Sequence, residues 1–513
     1  MLVKTYCAEV MGLEATTITI EVNLTRGVQF HLSGLADTAV KESYDRIRAA
    51  IANNGFKPPT ADLTINLSPA DIRKEGSGYD LPLAIGILAA HGKISGTMLG
   101  DYMMIGELGL DGKLKPVSGL LSVAIRARKE KFKGLIVPRE NVREAAVVNH
   151  LDVYGMDSLA DVISFLNGSS YEPTFVDTRK EFYEQQSAFD LDFADVKGQE
   201  GVKRALEIAA AGGHNIIMIG SPGSGKSMMA KRLPGILPPL TLAESLETTQ
   251  IHSVAGKLSS GTSLISQRPF RSPHHTVSQV AMTGGGNRAL PGEVSLAHNG
   301  VLFLDELPEF NKTTLEVLRQ PLEDRKITIS RARYTVEYPC SFMFVASMNP
   351  CPCGYYGDPT HHCVCSPGQI GRYLSKISGP LLDRIDLHVE VPVVPFAQLS
   401  QMQAGESSAM IRERVIKARQ IQEQRFTNDK GVYCNAQMTE RMLHLYAEPD
   451  AQSLDMLRTA MERLSLSARA YSRILKVART IADLEGTEKV QSHHIAEAIG
   501  YRSLDRGDWA ERG

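Results

Sequence analysis

The stretch NIIMIGSPGSGKS, residues 215–227, decides the fold of this chain. Its apolar part, Ile216–Ile219, has the length of a buried parallel strand. The residues that follow complete the pattern G-x-x-x-x-G-K-S, in which glycines let backbone N–H groups cradle phosphates where a helix begins. A chance match is the alternative in a chain with 43 glycines, and the strand-then-helix context disfavours it.

This loop predicts a site for a nucleoside triphosphate such as ATP, together with Mg²⁺. Lys226 is expected to reach the β- and γ-phosphates, and the hydroxyl of Ser227 is expected to contact Mg²⁺. The full set of predicted contacts in the loop is Gly220, Ser221, Pro222, Gly223, Ser224, Gly225, Lys226 and Ser227.

Length and composition are those of an ordinary multidomain protein. A chain of 513 residues should hold roughly two to four domains. The net charge of −2 gives no bulk basicity, so any surface for nucleic acid must be local. We find neither a basic-then-apolar leader nor an apolar run of about 18 residues, which predicts a cytoplasmic protein without a membrane partner.

Residues 1–170 are predicted to form an α+β domain, because strand and helix patterns are mixed along them. Alternation and apolar runs predict strands at 16–24 and 63–67. Helical periodicity predicts helices at 40–53, at 81–90 (buried) and at 119–129 (on the surface).

Two stretches of this first block resemble the proteolytic domain of Lon proteases and its non-proteolytic relatives. RKEGSGYDL, residues 73–81, stands where that family has its nucleophile loop. GELGLDGKLKPVSGLL, residues 106–121, followed by GLIVP at 134–138, stands where the family has its general-base lysine. The resemblance implies a ribosomal S5-like fold for this domain.

The Ser–Lys dyad of that family, a hydroxyl activated by a neighbouring amine, is missing here. Matched residue by residue, the serine position holds Gly78 and the lysine position holds Leu121. Ser77 and Lys74 are nearby, but they could form the dyad only if the match to the family were shifted by one residue. We therefore expect a structural or recognition domain rather than a protease.

A linker is predicted at 171–190, because residues 167–188 are polar, with Gly, Ser and Pro at their start and charges after. An ATPase domain with a parallel sheet is expected at 191–395, and a helical lid at 396–513. DVKGQ, residues 195–199, precedes an amphipathic helix at 202–211 and resembles the start of an AAA+ module.

VLFLDE, residues 301–306, is the second strong motif. A buried strand here would deliver two carboxylates at its C-terminal end, Asp305 to hold Mg²⁺ and Glu306 to polarise the attacking water. Such a strand is common by itself, but its position after a P-loop strengthens the interpretation. A further apolar strand at 342–346 ends near Asn349, where AAA+ proteins place a polar residue that positions the water.

Arginines in two segments resemble further parts of AAA+ sites. LLDRID, residues 381–386, resembles the segment of the arginine finger, so Arg384 would stabilise charge on the nucleotide of a neighbouring subunit. The alternative is a surface salt bridge with an aspartate of the same segment. Helices are predicted at 408–426, 465–486 and 490–502. In the second of them Arg469 resembles sensor 2, with Arg473 as runner-up and a solvated basic face as the alternative.

Two insertions resemble those of the magnesium-chelatase branch of AAA+ proteins. Residues 269–297 are rich in Gly, Pro and His, and form either a contact loop or a packing loop at a subunit interface. Residues 326–339 predict a hairpin whose tip carries Arg331, Arg333 and Tyr334. Two cations beside an aromatic ring suit DNA, although a hairpin edge protected by charge is the alternative.

A cysteine cluster follows the hairpin. Cys351, Cys353, Cys363 and Cys365 form two C-x-C pairs, and four thiolates can close a tetrahedral Zn²⁺ site. The spacing is tighter than the usual C-x₂₋₄-C, so unmetallated thiols or redox chemistry are the alternatives. Cys340 is predicted to be a buried strand residue.

The order of these parts resembles the ComM/YifB family of magnesium-chelatase-like proteins. The resemblance implies a homohexameric, ATP-driven motor that acts on single-stranded and branched DNA and promotes branch migration during natural transformation. A motor that inserts Mg²⁺ into a porphyrin, an ATP-dependent protease and an AAA+ ATPase that remodels a protein partner are the rival hypotheses.

Overall fold

The structure is a computed structural model that describes residues 2–502 and 504, apart from 28, 59, 187–188, 260, 332–334, 395–404, 430 and 465. The chain divides into two units. Unit 1 comprises Met1–Gln185, Leu242–Ser266 and Asn287–Pro291, and unit 2 comprises Gln186–Thr241, Gln267–Gly286 and Gly292–Gly513. Strands and helices are numbered along the whole chain.

A mixed seven-stranded sheet forms the centre of unit 1, in the order β3-β4-β2-β1-β5-β8-β9. β2 pairs antiparallel with β1 and β4, and the other neighbours are parallel. The strands of this unit are β1 Leu2–Met11, β2 Glu14–Thr25, β3 Phe30–Ser33, β4 Asp62–Ser68, β5 Tyr102–Met104, β6 Glu107–Leu108, β7 Leu114–Lys115, β8 Gly134–Pro138, β9 Asp152–Met156 and β13 Leu290–Pro291.

The helices of unit 1 confirm most of the predicted pattern. They are α1 Thr38–Asn53, α2 Asp80–Ala90, α3 Leu120–Lys129, α4 Val142–Ala145, α5 Leu159–Leu166, α6 Thr178–Gln185 and α9 Leu242–Val254. Every residue of α2 is buried, and the helix packs on β1 and β2.

Two predictions for unit 1 need correction. Helix α3 is not a surface helix, because α9 and β2 cover it and residues Leu120 to Ala124 are all buried. The predicted linker contains α6, which belongs to unit 1 and buries Phe182 to 2% exposure. Both segments contain many polar residues, so their sequences predict exposure to solvent. In both cases a tertiary contact buries part of the segment.

A buried carboxyl group in unit 1 makes its stability depend on pH. Burial raises the pKa of Glu9 from 4.5 to about 7, although Tyr79 and the backbone N–H of Glu75 donate hydrogen bonds to it. The folded state therefore favours the protonated form. The stabilisation that Glu9 adds to the folded state is fully present below pH 4.5 and is lost as the pH rises through 7.

We expect Glu9→Gln to be more stable than the parent chain above pH 7, by up to about 3 kcal/mol, because the amide keeps an acceptor without a buried charge. Melting temperatures of both proteins between pH 5 and 8 test this, with Glu14→Gln, at an exposed position of β2, as the control. Parallel pH curves for the parent and Glu9→Gln would contradict the assignment.

Unit 2 is built on a five-stranded parallel sheet in the order β11-β14-β17-β10-β18. The predicted hairpin is confirmed as β15 and β16, which pair antiparallel. The strands of this unit are β10 Ile216–Ile219, β11 Phe270–Arg271, β12 Gly284–Gly285, β14 Val301–Leu304, β15 Lys326–Ser330, β16 Thr335–Pro339, β17 Met343–Met348 and β18 Leu387–Glu390. Cys340 is buried but lies one residue beyond β16.

Helices surround this sheet and form the C-terminal part of unit 2. α7 Glu200–Gly212 and α8 Lys226–Ala230 flank β10, and six short helices follow at Gln279–Thr283, Glu293–Leu296, Lys312–Glu316, Arg319–Asp324, Pro367–Leu374 and Gly379–Leu382. The C-terminal helices are Ser408–Arg425, Glu440–Tyr446, Ala451–Leu464, Ala468–Glu485 and Ser492–Gly500, which confirms the predicted helical C-terminus. In the described part of the chain, no helix is long and apolar enough to cross a membrane.

A buried polar junction joins the C-terminal helices to the sheet of unit 2. His214, after α7, contacts Asp386 at 3.3 Å and Thr480 at 2.8 Å. Arg473 donates to the other oxygen of Asp386 at 2.7 Å. Burial alone would raise the pKa of Asp386, but Arg473 and His214 outweigh it and hold the pKa well below its usual range. Arg473 is therefore committed to a structural ion pair.

Candidate nucleotide site

Three neighbouring strands of unit 2 end at one edge of the sheet. β10 lies beside β17, and β17 lies beside β14, all parallel. The residues that follow these strands are Gly220, Asn349 and Asp305, so the predicted site residues meet at the carboxyl edge where parallel sheets bind ligands.

The P-loop folds around the ammonium group of Lys226. Gly223 and Gly225 have φ of 78° and 91°, values that favour glycine, so the loop can turn tightly before α8. Lys226 Nζ donates to the carbonyl oxygens of Gly220 at 2.6 Å and Ser221 at 3.0 Å. Burial lowers the pKa of Lys226, which lies 8% exposed.

Asp305 is held by two hydroxyl groups. Ser227 Oγ donates to one carboxylate oxygen at 2.6 Å, and Ser347 Oγ donates to the other. A hydroxyl and a carboxylate in direct contact beside a P-loop are the oxygen ligands that Mg²⁺ uses in such sites. The residues therefore fit a magnesium ion, which Ser227 and Asp305 would hold.

Glu306 and Asn349 complete this edge. Glu306 is exposed and has a φ of 53°, in the left-handed region that a non-glycine residue adopts at a cost. Asn349 Oδ1 lies 3.4 Å from Lys226 Nζ. The exposed carboxylate of Glu306 suits a general base, and the neighbouring carboxylate of Asp305, which two hydroxyl groups hold, suits a metal ligand.

Gln199 links the segment before α7 to this loop. Its Nε2 donates to the carbonyl oxygens of Ser224 at 2.8 Å and Pro392 at 2.9 Å. The segment 195–199, which resembles the start of an AAA+ module, thus contacts the P-loop directly.

Arg384 and Arg469 line one cavity of about 170 Å³, together with Arg473 and Lys476. Arg469 is 68% exposed and pairs with Asp383 at 3.0 Å. Because Arg473 is engaged by Asp386, the structure favours Arg469 over Arg473 as the arginine that is available to a ligand.

Arg384 does not form the salt bridge considered from the sequence. It pairs with Glu323, 61 residues earlier, and donates to the carbonyl of Pro380 at 2.7 Å. Asp383 and Asp386, the two partners expected for it, pair with other arginines. The partner is an exposed glutamate, so the guanidinium can leave it at small cost.

Comparisons with known proteins agree with this geometry. Family profiles match 192–399 (magnesium chelatase, subunit ChlI), 20–141 (subunit ChlI of Mg-chelatase) and 405–502 (the ChlI C-terminal region). Competence protein ComM of Haemophilus influenzae is 45% identical over 505 residues, which cover 98% of this chain and 97% of that protein. The chain belongs to the ComM/YifB family of magnesium-chelatase-like AAA+ ATPases.

Other proteins resemble this ComM/YifB chain either along nearly its whole length or in one part only. The uncharacterized protein YifB of Escherichia coli is 43% identical over 502 residues, 97% of this chain and 96% of YifB. Lon protease 2 of Bacillus subtilis is 31% identical over 160 residues, 28% of this chain and 27% of the protease. The likeness to Lon is therefore partial.

The Lon-like region of this ComM/YifB chain holds no serine–lysine pair at the matched positions, Gly78 and Leu121. Ser77 donates to Glu107, and the buried Lys74 donates to the carbonyl of Pro69, so the one-residue slip does not create a dyad. A cavity of about 240 Å³ remains beside Gly78 in unit 1.

The hairpin of this ComM/YifB chain presents one of the three predicted DNA contacts within the described residues. Arg331 follows β15 and is exposed. Arg333 and Tyr334 lie outside the described residues. The inner sides of the hairpin strands are buried, at Ile327 and Tyr338, so the hairpin is fixed at its base.

The four cysteines of this ComM/YifB chain converge. Their sulfur atoms all lie within 4.8 Å of one another, and the measured pairs are 3.3 Å (Cys351–Cys353), 3.6 Å (Cys353–Cys363) and 3.7 Å (Cys351–Cys363). Sulfurs on a tetrahedral zinc ion with Zn–S bonds of about 2.3 Å stand about 3.8 Å apart. Cys365 is the fourth member, so the donor set fits zinc.

A second group, Glu485, His493 and His494, does not fit a metal in the same way. His494 Nδ1 accepts the backbone N–H of Gln491 at 2.9 Å, so the ring proton resides on Nε2, which contacts Glu485 at 2.9 Å. A metal at Nε2 would require the opposite tautomer.

Sequence reasoning missed two residues at the nucleotide site. Ser347 stands two positions before Asn349, and a polar residue after a buried apolar run was a usable signal. Asp358 accepts a hydrogen bond from Ser221 Oγ at 2.6 Å. Nothing in the sequence marks Asp358, because it contacts the P-loop across 137 residues.

Proposed function

We propose that this protein is an ATP-driven motor that acts on DNA and promotes branch migration when incoming DNA recombines. The observation that carries the ATPase part is the meeting of Lys226, Ser227, Asp305 and Asn349 at the ends of three adjacent strands. The family membership supports the same reaction, and the name of the Haemophilus relative links that protein to competence.

In this proposal the chain's own residues position ATP and the attacking water. The P-loop binds the phosphates, with Lys226 leaving the loop carbonyls for the β- and γ-phosphate oxygens. Glu306 takes the proton of the water, and Asn349 orients it. Ser227 and Asp305 hold Mg²⁺, which when bound neutralises charge on the phosphate oxygens.

Arg384 comes from a neighbouring subunit, whereas Arg469 acts from the helical lid as sensor 2. Arg384 and Arg469 line one cavity, whose lining also includes the carboxylates of Glu323, Asp383 and Glu440. When these guanidinium groups leave their carboxylate partners, they can stabilise the negative charge that develops on a γ-phosphate. A finger supplied in trans requires a neighbour, and head-to-tail contacts that close form a ring, which we propose to be a homohexamer.

DNA contact is assigned to the hairpin and the four thiols to a structural zinc ion. Arg331 is an exposed cation next to β15, and an exposed cation is what contact with a phosphate needs. Zinc would stabilise residues 351–365, the cysteine loop, which is too short to have a core of its own.

We expect Arg331→Ala to remove most of the stimulation of ATP hydrolysis by DNA and to leave the rate without DNA unchanged. ATP hydrolysis is measured with and without single-stranded and forked DNA, and Arg458→Ala, an exposed arginine of a C-terminal helix, is the control. Because phosphate contacts release counterions, the remaining stimulation should also depend less on salt.

Two other outcomes separate the rival functions. ATP hydrolysis that is indifferent to every form of DNA would refute the DNA motor and favour a protein partner. Absence of hydrolysis and of nucleotide binding would refute the ATPase itself.

A further inference from the structure

The cysteine loop is continuous with the nucleotide site. It begins two residues after Asn349, just beyond the end of β17, and it ends two residues before the helix Pro367–Leu374. Residues of this loop and of the P-loop line one cavity of about 540 Å³, among them Gly220, Ser221 and Asp358.

Two contacts join the cysteine loop to the P-loop. Ser221 Oγ donates to Asp358 Oδ2 at 2.6 Å. Gly354 lies so close to Pro222 that a Cβ added at Gly354 would stand 2.7 Å from the proline ring. Gly354 also has a φ of 89°, which makes any side chain unfavourable there.

The carboxylate of Asp358 is held in place by its own loop. Its Oδ1 accepts from the backbone N–H of Thr360 at 2.8 Å, the hydroxyl of Thr360 at 2.7 Å and the backbone N–H of His361 at 3.0 Å. Its side chain is only 1% exposed. Asp358 lies midway between Cys353 and Cys363, so fixing the cysteines limits the conformations that the segment carrying this carboxylate can adopt.

We propose that Asp358 is a positioning residue for the P-loop, and that metal binding by the four cysteines and ATP binding by the P-loop are thermodynamically coupled through it. The proposal rests on the proposed ATPase function. A metal ion holds the cysteine loop in the conformation in which Asp358 supports Ser221. ATP then binds to a loop that is already ordered, and so with less loss of entropy.

Coupling of this kind is reciprocal. If the metal ion tightens nucleotide binding by a given factor, the nucleotide must tighten metal binding by the same factor. This gives a readout that does not depend on hydrolysis, because the affinity for zinc can be measured by competition with a chelator.

The test uses the full chain, loaded with zinc or stripped by a chelator, and measures the affinity for a fluorescent ATP analogue. We expect stripping to weaken nucleotide binding about ten-fold, the size of one hydrogen bond to a charged group. With zinc bound, Asp358→Ala should bind the ATP analogue more weakly than the parent chain by a similar factor. Removal of zinc from this variant should change its nucleotide affinity less than about two-fold, because the contact between Ser221 and Asp358 is already absent. Asp455→Ala, an exposed aspartate of a C-terminal helix, is the matched control.

Two further measurements keep the proposal open to refutation if the stripped chain unfolds. Ser221→Ala, Asp358→Ala and the double variant form a cycle in the loaded chain, and the double variant should bind nucleotide no more weakly than the weaker single variant. Saturating nucleotide should raise the zinc affinity of the parent chain about ten-fold and leave that of Asp358→Ala unchanged.

The possible outcomes separate a failure of the proposed coupling from a failure of the proposed ATPase function. A chain that takes up no zinc, or that binds nucleotide equally well with and without it, overturns the coupling alone. A chain that binds no nucleotide in any state overturns the proposed ATPase.

Discussion

Glu306→Gln is expected to slow ATP hydrolysis by about 100- to 10,000-fold, the range of a lost general base. The amide has the same shape as the carboxylate but cannot take a proton from water. Nucleotide affinity should stay within a factor of about two, because the P-loop contacts of Lys226 do not involve Glu306. Single-turnover hydrolysis and equilibrium binding of ATP measure the two effects separately.

The control for this variant is Glu309→Gln. Glu309 lies three residues further on, is exposed and pairs with Lys376 at 3.2 Å, so its loss should leave hydrolysis unchanged. Equal losses in both variants would show that a change of local charge, and not a missing base, lowers the rate. Unchanged hydrolysis in Glu306→Gln would exclude Glu306 as the base.

Arg384→Ala is expected to lower hydrolysis by about 1,000-fold or more, as does the loss of an arginine finger in other phosphoryl-transfer enzymes. The substitution leaves Glu323 without its partner, but this carboxylate is 66% exposed and needs none. Nucleotide binding by the isolated subunit should not change. Arg372→Ala, at an exposed position of a neighbouring helix, is the control.

A mixing experiment tests whether this arginine acts on the next subunit. Subunits with Arg384→Ala keep Glu306, and subunits with Glu306→Gln keep Arg384. Mixed rings would therefore contain some complete sites, so the mixture should hydrolyse ATP faster than either variant alone. No gain on mixing, with assembly verified by light scattering, would place Arg384 in its own subunit's site or outside any site.

Much of unit 2 could be predicted because its signals are local. The runs at β10 and β14 are short and wholly apolar, and only a buried strand accommodates them between turn residues. The P-loop could be predicted because glycines stand at its left-handed positions, which is also a local signal. The alternation of the hairpin was also sufficient, since Ile327 and Ile329 face inward while their neighbours do not.

The contacts across long stretches of chain could not be predicted. Glu323 as the partner of Arg384 and Asp358 as the partner of Ser221 depend on which loops the fold brings together. The burial of α3 depends on α9, more than a hundred residues later, which no periodicity within α3 reveals. The periodicity of a helix shows which of its faces is apolar. It does not show whether another element of the fold covers the polar face.

The division of the chain has a consequence for the order of its synthesis. Unit 1 needs α9 and β13, which follow the P-loop in the sequence, so it cannot be complete until residue 291 has left the ribosome. A fragment that stops at residue 185 would leave the outer face of α3 bare and prone to aggregate. No single cut in the gene can therefore separate the two units, because residues 242–266 and 287–291 of unit 1 lie between segments of unit 2.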